Sequence, residues 1–524
     1  MKVVLVAPTP PDLSAFGVRS ISAYLKSRGH GVNIIFLPGG VAMMKHRAGY
    51  EYRYEPRVLD EVAALCGDAD LVGVSLMTNY FDRAVQLTRA VKGTGGPPVI
   101  WGGIHPTVKP EEALEHADMV CIGDGEEALE EILNRMGEGR DCTDTRGVWF
   151  KEDGRVKRNP LRPLVEDLDS LPFYDYDLED HYVYHMDEGR IVGMTPELLC
   201  RSFPREPSPE STLYDPYGKM WRTYKTYTVR GCPHSCYYCS ISIMKEMFPR
   251  QKHLRKRSVP NIIAELGEIT AKFPGIEGIN IFDDTFALRS EAEIADFCRL
   301  YKEAIGLPFY IQVSPATITE KKMELMIDAG LVFVEMGVQT GNERTRSMFN
   351  RSSTNEQILK AARIISCFTP RMFWPCYHVI LDNPWETPGE TMETLDLLLR
   401  LPRPFWLKRS SLVPFPGTKL YEIGKRDGWL TDERRQIYGK HLHTPLGSYP
   451  NFLIYLAGYS CFPGWLLGVL SRRFFTRLLG RSFLNPMYSL LCRLGDSGIV
   501  VYKGVRSVLT GDLDRIRNFI HKIR

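Results

Sequence analysis

Twice along this chain, short apolar runs alternate with segments of helical spacing, first over residues 1–140 and again from residue 226. Strands that alternate with helices imply βαβ units and a parallel sheet covered on both faces, an α/β fold. In the first stretch "KVVLVAP" stops at Pro8, "VRSISAYLKSRGHG" has helical spacing and ends at glycines, and "VNIIFLP" is strand-like again. "LVGVSLM", "PPVIWGG" and "MVCIGDGEEALEEIL" follow, with helical stretches at 58–66, 80–92 and 110–116. A Rossmann-like parallel sheet is expected here, and such sheets bind ligands beyond the carboxyl ends of their strands. The residues placed there are Pro8 and Gly17 in 8–17, Ser75 and Thr78 in 75–79, Gly102, Gly103 and His105 in 102–107, and Gly123, Gly125 and Glu126 in 123–127. Glycine in three of these loops lets backbone come close to a bulky ligand. No G-x-G-x-x-G follows the first strand, which argues against a nicotinamide or flavin site.

The second stretch offers "YTVR", "GINIFDD", "FYIQVS", "VFVEMGVQ", "YHVIL" and "WLKRSSLV" as strands, with five helical segments between them. Six such repeats in about 200 residues suit a partial (β/α)6 barrel of the TIM type better than an open sheet, and active groups of such barrels sit at the carboxyl ends of the strands. Residues 141–222 are acidic and aromatic, then rich in Pro and Ser, and read as a connector of surface coil with a loop insertion. The expected organisation is therefore 1–140, a linker over 141–222, a barrel over 223–430 and a helical region over 431–524.

Three cysteines stand in the loop expected after the first barrel strand. In "YTVRGCPHSCYYCS" the spacing is C-x3-C-x2-C, from Cys232, Cys236 and Cys239. A structural zinc site wants four ligands, and the next cysteine, Cys298, falls inside an expected helix. A disulfide would leave one thiol over. An iron–sulfur cluster remains, held by thiolates, with three ligands on four irons leaving one iron open for chemistry. No signal peptide opens the chain, and twelve cysteines without one argue for a reducing, cytoplasmic compartment. The other nine cysteines are scattered and read as small core residues. A formal net charge of +3 predicts no general attraction to nucleic acid.

"RGCPHSCYYCS" resembles the signature of the radical S-adenosylmethionine (SAM) superfamily, including the aromatic Tyr238 beside the last cysteine. The resemblance implies a [4Fe-4S] cluster whose open iron is chelated by SAM, and one-electron cleavage of SAM to a 5′-deoxyadenosyl radical. Further stretches resemble the subgroup with an N-terminal cobalamin-binding (B12) domain. "FDDTF" at 282–286 looks like its second-strand motif and assigns Asp283 and Asp284 to the SAM side. "MGVQTGNE" at 336–343 is similar to the fourth-strand G-x-E-S-G, with Gln339 and Thr340 in place of Glu and Ser. "PFPGT" at 414–418, with Pro414 and Gly417, resembles its sixth-strand ending. "NPWETPGE" lacks the glycine of the family's G-x-P-x-E-T. The likeness covers roughly residues 1–430 and implies cobalamin at the first-domain loops. No D-x-H-x-x-G is present, so no histidine, His105 included, is expected to coordinate the lower face of cobalt.

The activity implied is methyl transfer to an unactivated carbon of a small or lipid-like substrate, with an electron donor such as flavodoxin or ferredoxin. The alternatives are non-methylating radical chemistry such as oxidative cyclisation, or a non-catalytic iron–sulfur or cobalamin sensor. Residues 431–524 carry 14 Lys+Arg against 5 Asp+Glu. "NFLIYLAGYSCFPGWLLGVL" is broken by Pro463 and Gly464 and is followed by "SRRFFTRLLGR". Short amphipathic helices are expected rather than a membrane span, either packed as a cap or lying at an anionic membrane surface.

Overall fold

The computed structural model describes residues 1–8, 13–37, 52–152, 154–207, 220–440, 445–459 and 461–509. The chain forms two compact units: Met1–Pro204 with Tyr238–Arg257 and Pro414–Lys440, and Arg205–Tyr237 with Ser258–Val413 and His441–Arg524.

The first unit is built on a nine-stranded sheet. Its strands are β1 (Lys2–Ala7), β2 (Gly31–Phe36), β3 (Leu71–Ser75), β4 (Val99–Gly102), β5 (Met119–Cys121), β6 (Val148–Glu152), β7 (Arg155–Arg158), β8 (Tyr182–His185) and β9 (Arg190–Gly193). The order is β7-β6-β5-β4-β3-β1-β2-β8-β9. The central strands, buried on both faces, are the apolar runs of the sequence. The parallel order 2-1-3-4-5 within the sheet reverses direction between β1 and β3, and ligands of such sheets sit at that switch point, beyond the carboxyl ends.

The stretch read as a coil connector instead extends this sheet at both edges. The antiparallel pair β6 and β7 continues β5, and β8 with its antiparallel partner β9 adds to β2. Buried polar contacts hold it there. Asp175 is reached by His181 Nε2 at 3.0 Å, Ser22 Oγ at 2.5 Å and Lys26 Nζ at 2.8 Å, and His181 Nδ1 accepts from the Ile34 amide at 3.2 Å. Burial would raise the Asp175 carboxyl, but His181, Lys26 and Ser22 together hold it well below the usual range. Long-range polar pairing of this kind leaves no periodic trace in sequence. The Pro- and Ser-rich insertion at 208–219 lies outside the described residues.

In the second unit β10 (Arg205–Glu206) pairs antiparallel with β11 (Trp221–Thr226). The short strand β12 (Val229–Arg230) follows, whereas β13 (Arg255–Lys256) lies in the segment that belongs to the first unit. Then come β14 (Gly278–Ile281), β15 (Phe309–Val313), β16 (Leu331–Gln339), β17 (Cys376–Leu381) and β18 (Trp406–Ser411). Six parallel strands in chain order, β11-β14-β15-β16-β17-β18, make the partial barrel. Its first strand is "WRTYKT", one step earlier than the expected "YTVR", because charged and aromatic side chains alternate there in place of an apolar run. The helices Glu291–Ala304, Asn355–Ser366 and Pro388–Leu399 each begin with a capping box, from Ser290, Thr354 and Thr387.

The sheet curls. The Phe333 and Trp406 rings meet at 5.5 Å although β17 lies between their strands, and Trp221 meets Tyr310 at 6.2 Å across β14. Strands two apart in a flat sheet would be about 9–10 Å apart. Tyr310, Phe333, Cys376 and Trp406 form an aromatic cluster on that concave face.

The carboxyl-terminal region packs in part on the second unit. Asp382 accepts from Asn451 Nδ2 at 2.7 Å and the Leu446 amide at 2.9 Å, and Arg403 caps the helix Tyr449–Ala457 through the Ala457 carbonyl. The helices Gly464–Leu470, Arg473–Leu479 and Asn485–Leu509 follow. Among the described residues no helix is long and apolar enough to cross a membrane.

Candidate functional site

All twelve cysteines are free thiols. Cys236 is buried, and Cys232 and Cys239 are half-buried. Cys232 and Cys236 belong to the second unit, where the loop is tied down at several points. His234 Nε2 lies 2.9 Å from Ser314 Oγ beyond β15, the Tyr237 amide donates to the Phe349 carbonyl at 3.1 Å, and Asn350 Nδ2 donates to the Ser235 carbonyl at 2.7 Å. Arg351 Nη1 stands 3.7 Å from Cys236 Sγ. Tyr238 and Cys239 head the segment that packs with the first unit; the Cys239 carbonyl receives the Ser242 hydroxyl at 2.6 Å, at the start of the helix Ile241–Met247. Three thiols with no disulfide among them are a donor set suited to iron and sulfide.

Of the remaining positions expected at SAM, Asp283 is buried and inward-bonded. It accepts from the Thr228 amide at 2.6 Å, the Val229 amide at 3.1 Å and the Thr228 hydroxyl. Burial pushes its carboxyl up to about 6 against the pull of these donors and of Arg289. Asp283 thus shapes the chain just before the cysteine loop, while Asp284 is exposed beyond the end of β14. Gln339 closes β16 with φ of 68°, a left-handed conformation rare outside glycine, and strain of this kind gathers at functional sites. Thr340 is buried, its Oγ1 3.3 Å from Thr394 Oγ1 and accepting from the Asn342 amide, so its hydroxyl serves packing. Pro414 is buried; Gly417 takes φ of 79° and leads into Thr418, which caps the helix Lys419–Arg426.

In the first unit, Pro8 follows β1, and residues 9–12 of its loop lie outside the described residues. Ser75 ends β3 and Thr78 is buried beyond it, which sets both at the switch point. Among the described residues a side chain at Gly17 or Gly102 would meet no atom within 4 Å, which suits the approach of a bulky cofactor at the carboxyl end of the sheet. Gly103, at φ of 98°, has its missing Cβ 2.7 Å from the Leu76 carbonyl oxygen, so only glycine fits there. Gly123 and Gly125 pack closely against Phe248 and Ile21. Glu126 is buried and accepts from Ser20 Oγ at 2.6 Å, a helix-to-helix contact rather than an open ligand. His105 is fully buried, with Nδ1 3.3 Å from Thr78 Oγ1 and its ring against Phe81 and Tyr438. Burial, helped by Lys109 and Arg434, lowers its imidazole to about 3, so it is neutral.

Several contacts had no sequence signal. Asp124, inside "IGDGEE", pairs with Arg255 at 2.5 Å. The segment Pro414–Lys440 returns to the first unit, where Tyr438 donates to Glu112 at 2.5 Å and Arg434 reaches Asp82 at 2.9 Å. Cys367 and Cys461 are exposed rather than core residues.

Residues 226–399 match the radical SAM superfamily model, and residues 2–133 match the B12 binding domain model. The chain therefore belongs to the radical SAM superfamily, in the group that carries a B12 binding domain, and membership implies SAM, a [4Fe-4S] cluster and cobalamin as its cofactors. Among its relatives, an uncharacterized methyltransferase of Pyrococcus horikoshii is 26% identical over 359 residues, 68% of this chain and 69% of that one. The anaerobic magnesium-protoporphyrin IX monomethyl ester cyclase of Rubrivivax gelatinosus is 24% identical over 80% of this chain and 67% of its own. The fold is similar to that of the radical SAM methyltransferase TsrM from Kitasatospora setae, with a TM-score of 0.61 at 18% identity, covering 82% of this chain and 77% of that one.

Proposed function

We propose that this radical SAM enzyme transfers a methyl group to an unactivated carbon of a small molecule, drawing single electrons from a donor of the flavodoxin or ferredoxin type. The observation that carries the reading is one chain holding both parts: three free thiols after the first of six ordered parallel strands, and a 2-1-3-4-5 sheet with Gly17 and Gly102 at its carboxyl end. When bound, the cluster supplies the electron that cleaves SAM, and cobalamin carries the methyl group. The chain's own part is to hold three thiolates, seat SAM along 282–286 and 336–343, and keep bulk water from the reacting carbon. Reconstituted protein given reductant and SAM should release 5′-deoxyadenosine; absence of cleavage would refute the enzyme reading in favour of a sensor. The kinship with a cyclase supports a second reading, ring formation without methyl transfer. A substrate product that gains no labelled methyl from SAM would select it.

We also propose that no histidine ligates cobalt. His105 is enclosed by Phe81, Thr78 and Tyr438. The EPR spectrum of bound cob(II)alamin should lack the nitrogen splitting of a histidine ligand, and His105→Ala should leave it unchanged.

The carboxyl-terminal helices suit an anionic membrane surface. Trp465, Phe474, Phe483, Leu494 and Leu509 are among the large apolar side chains exposed there. Residues 461–509 hold seven Lys+Arg and one acidic residue. Exposed aromatics beside arginines are the composition of helices that lie in the interface plane. Protein should co-sediment with phosphatidylglycerol vesicles and not with phosphatidylcholine vesicles, and Phe474→Ser with Phe483→Ser should weaken this by about tenfold or more.

A further inference from the structure

On the concave face of the second unit, each of the six parallel strands contributes at least one polar side chain. Among them are Lys225, Asn280, Gln312, Glu335, His378 and Lys408, and Thr223, Gln339 and Ser410 share the same alternation. Gln312, Glu335, His378 and Lys408 each stand two residues beyond Tyr310, Phe333, Cys376 and Trp406 of the aromatic cluster, so strand alternation sets them on the same face, nearer the carboxyl ends. Lys225 is level with Asn280, Gln312 with Glu335, and His378 with Lys408. The result is a staggered polar layer beside the aromatic cluster, with Asn280 level with Tyr310 and Glu335 level with Cys376. Barrel interiors are ordinarily filled by bulky branched residues, and polar groups taken from water destabilise a fold unless they are paired. A polar residue from every strand therefore calls for a ligand.

The layer is partly satisfied from within. Glu206 on β10 accepts from Asn280 Nδ2 at 2.6 Å and lies 3.2 Å from Lys225 Nζ. Glu335 and His378 are the less enclosed part, although His378 Nε2 itself is buried against Glu335. Their side chains are 24% and 23% exposed although both lie within strands of the curled sheet. His378 Nε2 approaches Glu335 Oε2 to 3.2 Å without the alignment of a hydrogen bond. Burial would raise the Glu335 carboxyl, but the His378 ring beside it, with Lys408 and Lys225, brings it down to about 2, so it is an anion at any physiological pH.

We propose that Glu335 and His378, at the centre of this polar layer, hold the substrate, which is a hydrophilic small molecule presenting a hydroxyl or amine to Glu335 and an acceptor to His378, rather than a lipid chain. This rests on the methyl-transfer reading above and narrows its substrate class. An alkyl chain in the same position would take the Glu335 carboxylate out of water with only the poorly aligned His378 ring and the nearby lysines to hold it, a cost that a specific site rejects.

The test uses cells that carry the intact chain or a variant, fed methionine labelled with 13C at its methyl group, with extracts split between aqueous methanol and chloroform. A labelled metabolite that depends on the intact chain should appear in the aqueous phase. Glu335→Gln or His378→Phe should lower it about tenfold or more, the worth of one hydrogen bond to a charged group. Iron content and melting temperature of the purified variants establish that they fold, and Gln312→Leu supplies an uncharged third probe of the same layer. Dependent label in the chloroform phase, or undiminished product in Glu335→Gln and His378→Phe, overturns the proposal and leaves methyl transfer standing. So does stoichiometric zinc that is lost in Cys376→Ser, because Cys376, Glu335 and His378 place their ligand atoms within 4.8 Å of one another. If no labelled metabolite depends on the chain, the methyl-transfer reading fails and this proposal with it.

Discussion

Alanine at Cys232, Cys236 or Cys239 is expected to strip the protein of iron and sulfide and to bring SAM cleavage below detection. A cluster held by three thiolates has no spare ligand, and a lost corner is not replaced by a neighbour. Cys298, the next cysteine in the chain, is buried on the helix Glu291–Ala304 and is not on the loop. Even the outer partners of metal ligands are worth about 10–100-fold in affinity or activity, so a ligand itself should exceed that range. Iron and sulfide per chain, and 5′-deoxyadenosine released under reductant, measure the two effects. Cys298→Ala and Cys367→Ala should keep full iron loading. Normal iron in any one of the three loop variants would remove the basis of the assignment.

The second large effect is expected at Asp283, and it is one of stability. Its carboxylate receives two backbone amides and the Thr228 hydroxyl, and Arg289, itself 1% exposed, donates to the Thr228 carbonyl at 3.2 Å. Asp283→Ala leaves three buried donors unsatisfied and takes one negative charge from near the Arg289 guanidinium, which keeps Glu293 at 3.7 Å; at about 1–3 kcal/mol per orphaned donor the loss is roughly 3–5 kcal/mol. Denaturant or thermal unfolding of the metal-free protein measures it, so the loss is separable from cluster loading. The pH dependence has a definite sign. Because the carboxyl ionises at about 6 in the fold and near 3.8 when free, its contribution is largest at acid pH and falls as pH rises through about 6. Asp283→Asn should remove that slope while costing less than alanine, since it keeps the shape and part of the bonding.

The contrast between these two residues shows what could be read in advance. The cysteines were legible because their spacing is local, and eight residues of chain carry the whole candidate ligand set. Asp283 was legible only as part of "FDDTF", and the expectation that it lies near SAM did not reveal that its partners are Thr228 and Val229. The connector was misjudged for a related reason. Over 141–204 the apolar alternation is short, and what holds the strands in place is Asp175 with His181, Ser22 and Lys26, a pairing across about 150 residues of chain. The return of Pro414–Lys440 to the first unit, through Arg434 and Tyr438, likewise carries no periodic signal.

By itself the sequence determined the two runs of alternating strands and helices, the three closely spaced thiols and the basic, apolar end of the chain. Each of these rests on residues close together along the chain, where spacing and hydrophobic period act directly. Only the tertiary structure decided which polar residues share a surface. Lys225, Asn280, Gln312, Glu335, His378 and Lys408 span nearly two hundred positions, and they meet because strand alternation, parallel register and the curl of the sheet act together. None of those three properties belongs to any one segment, so no segment could announce the layer they build.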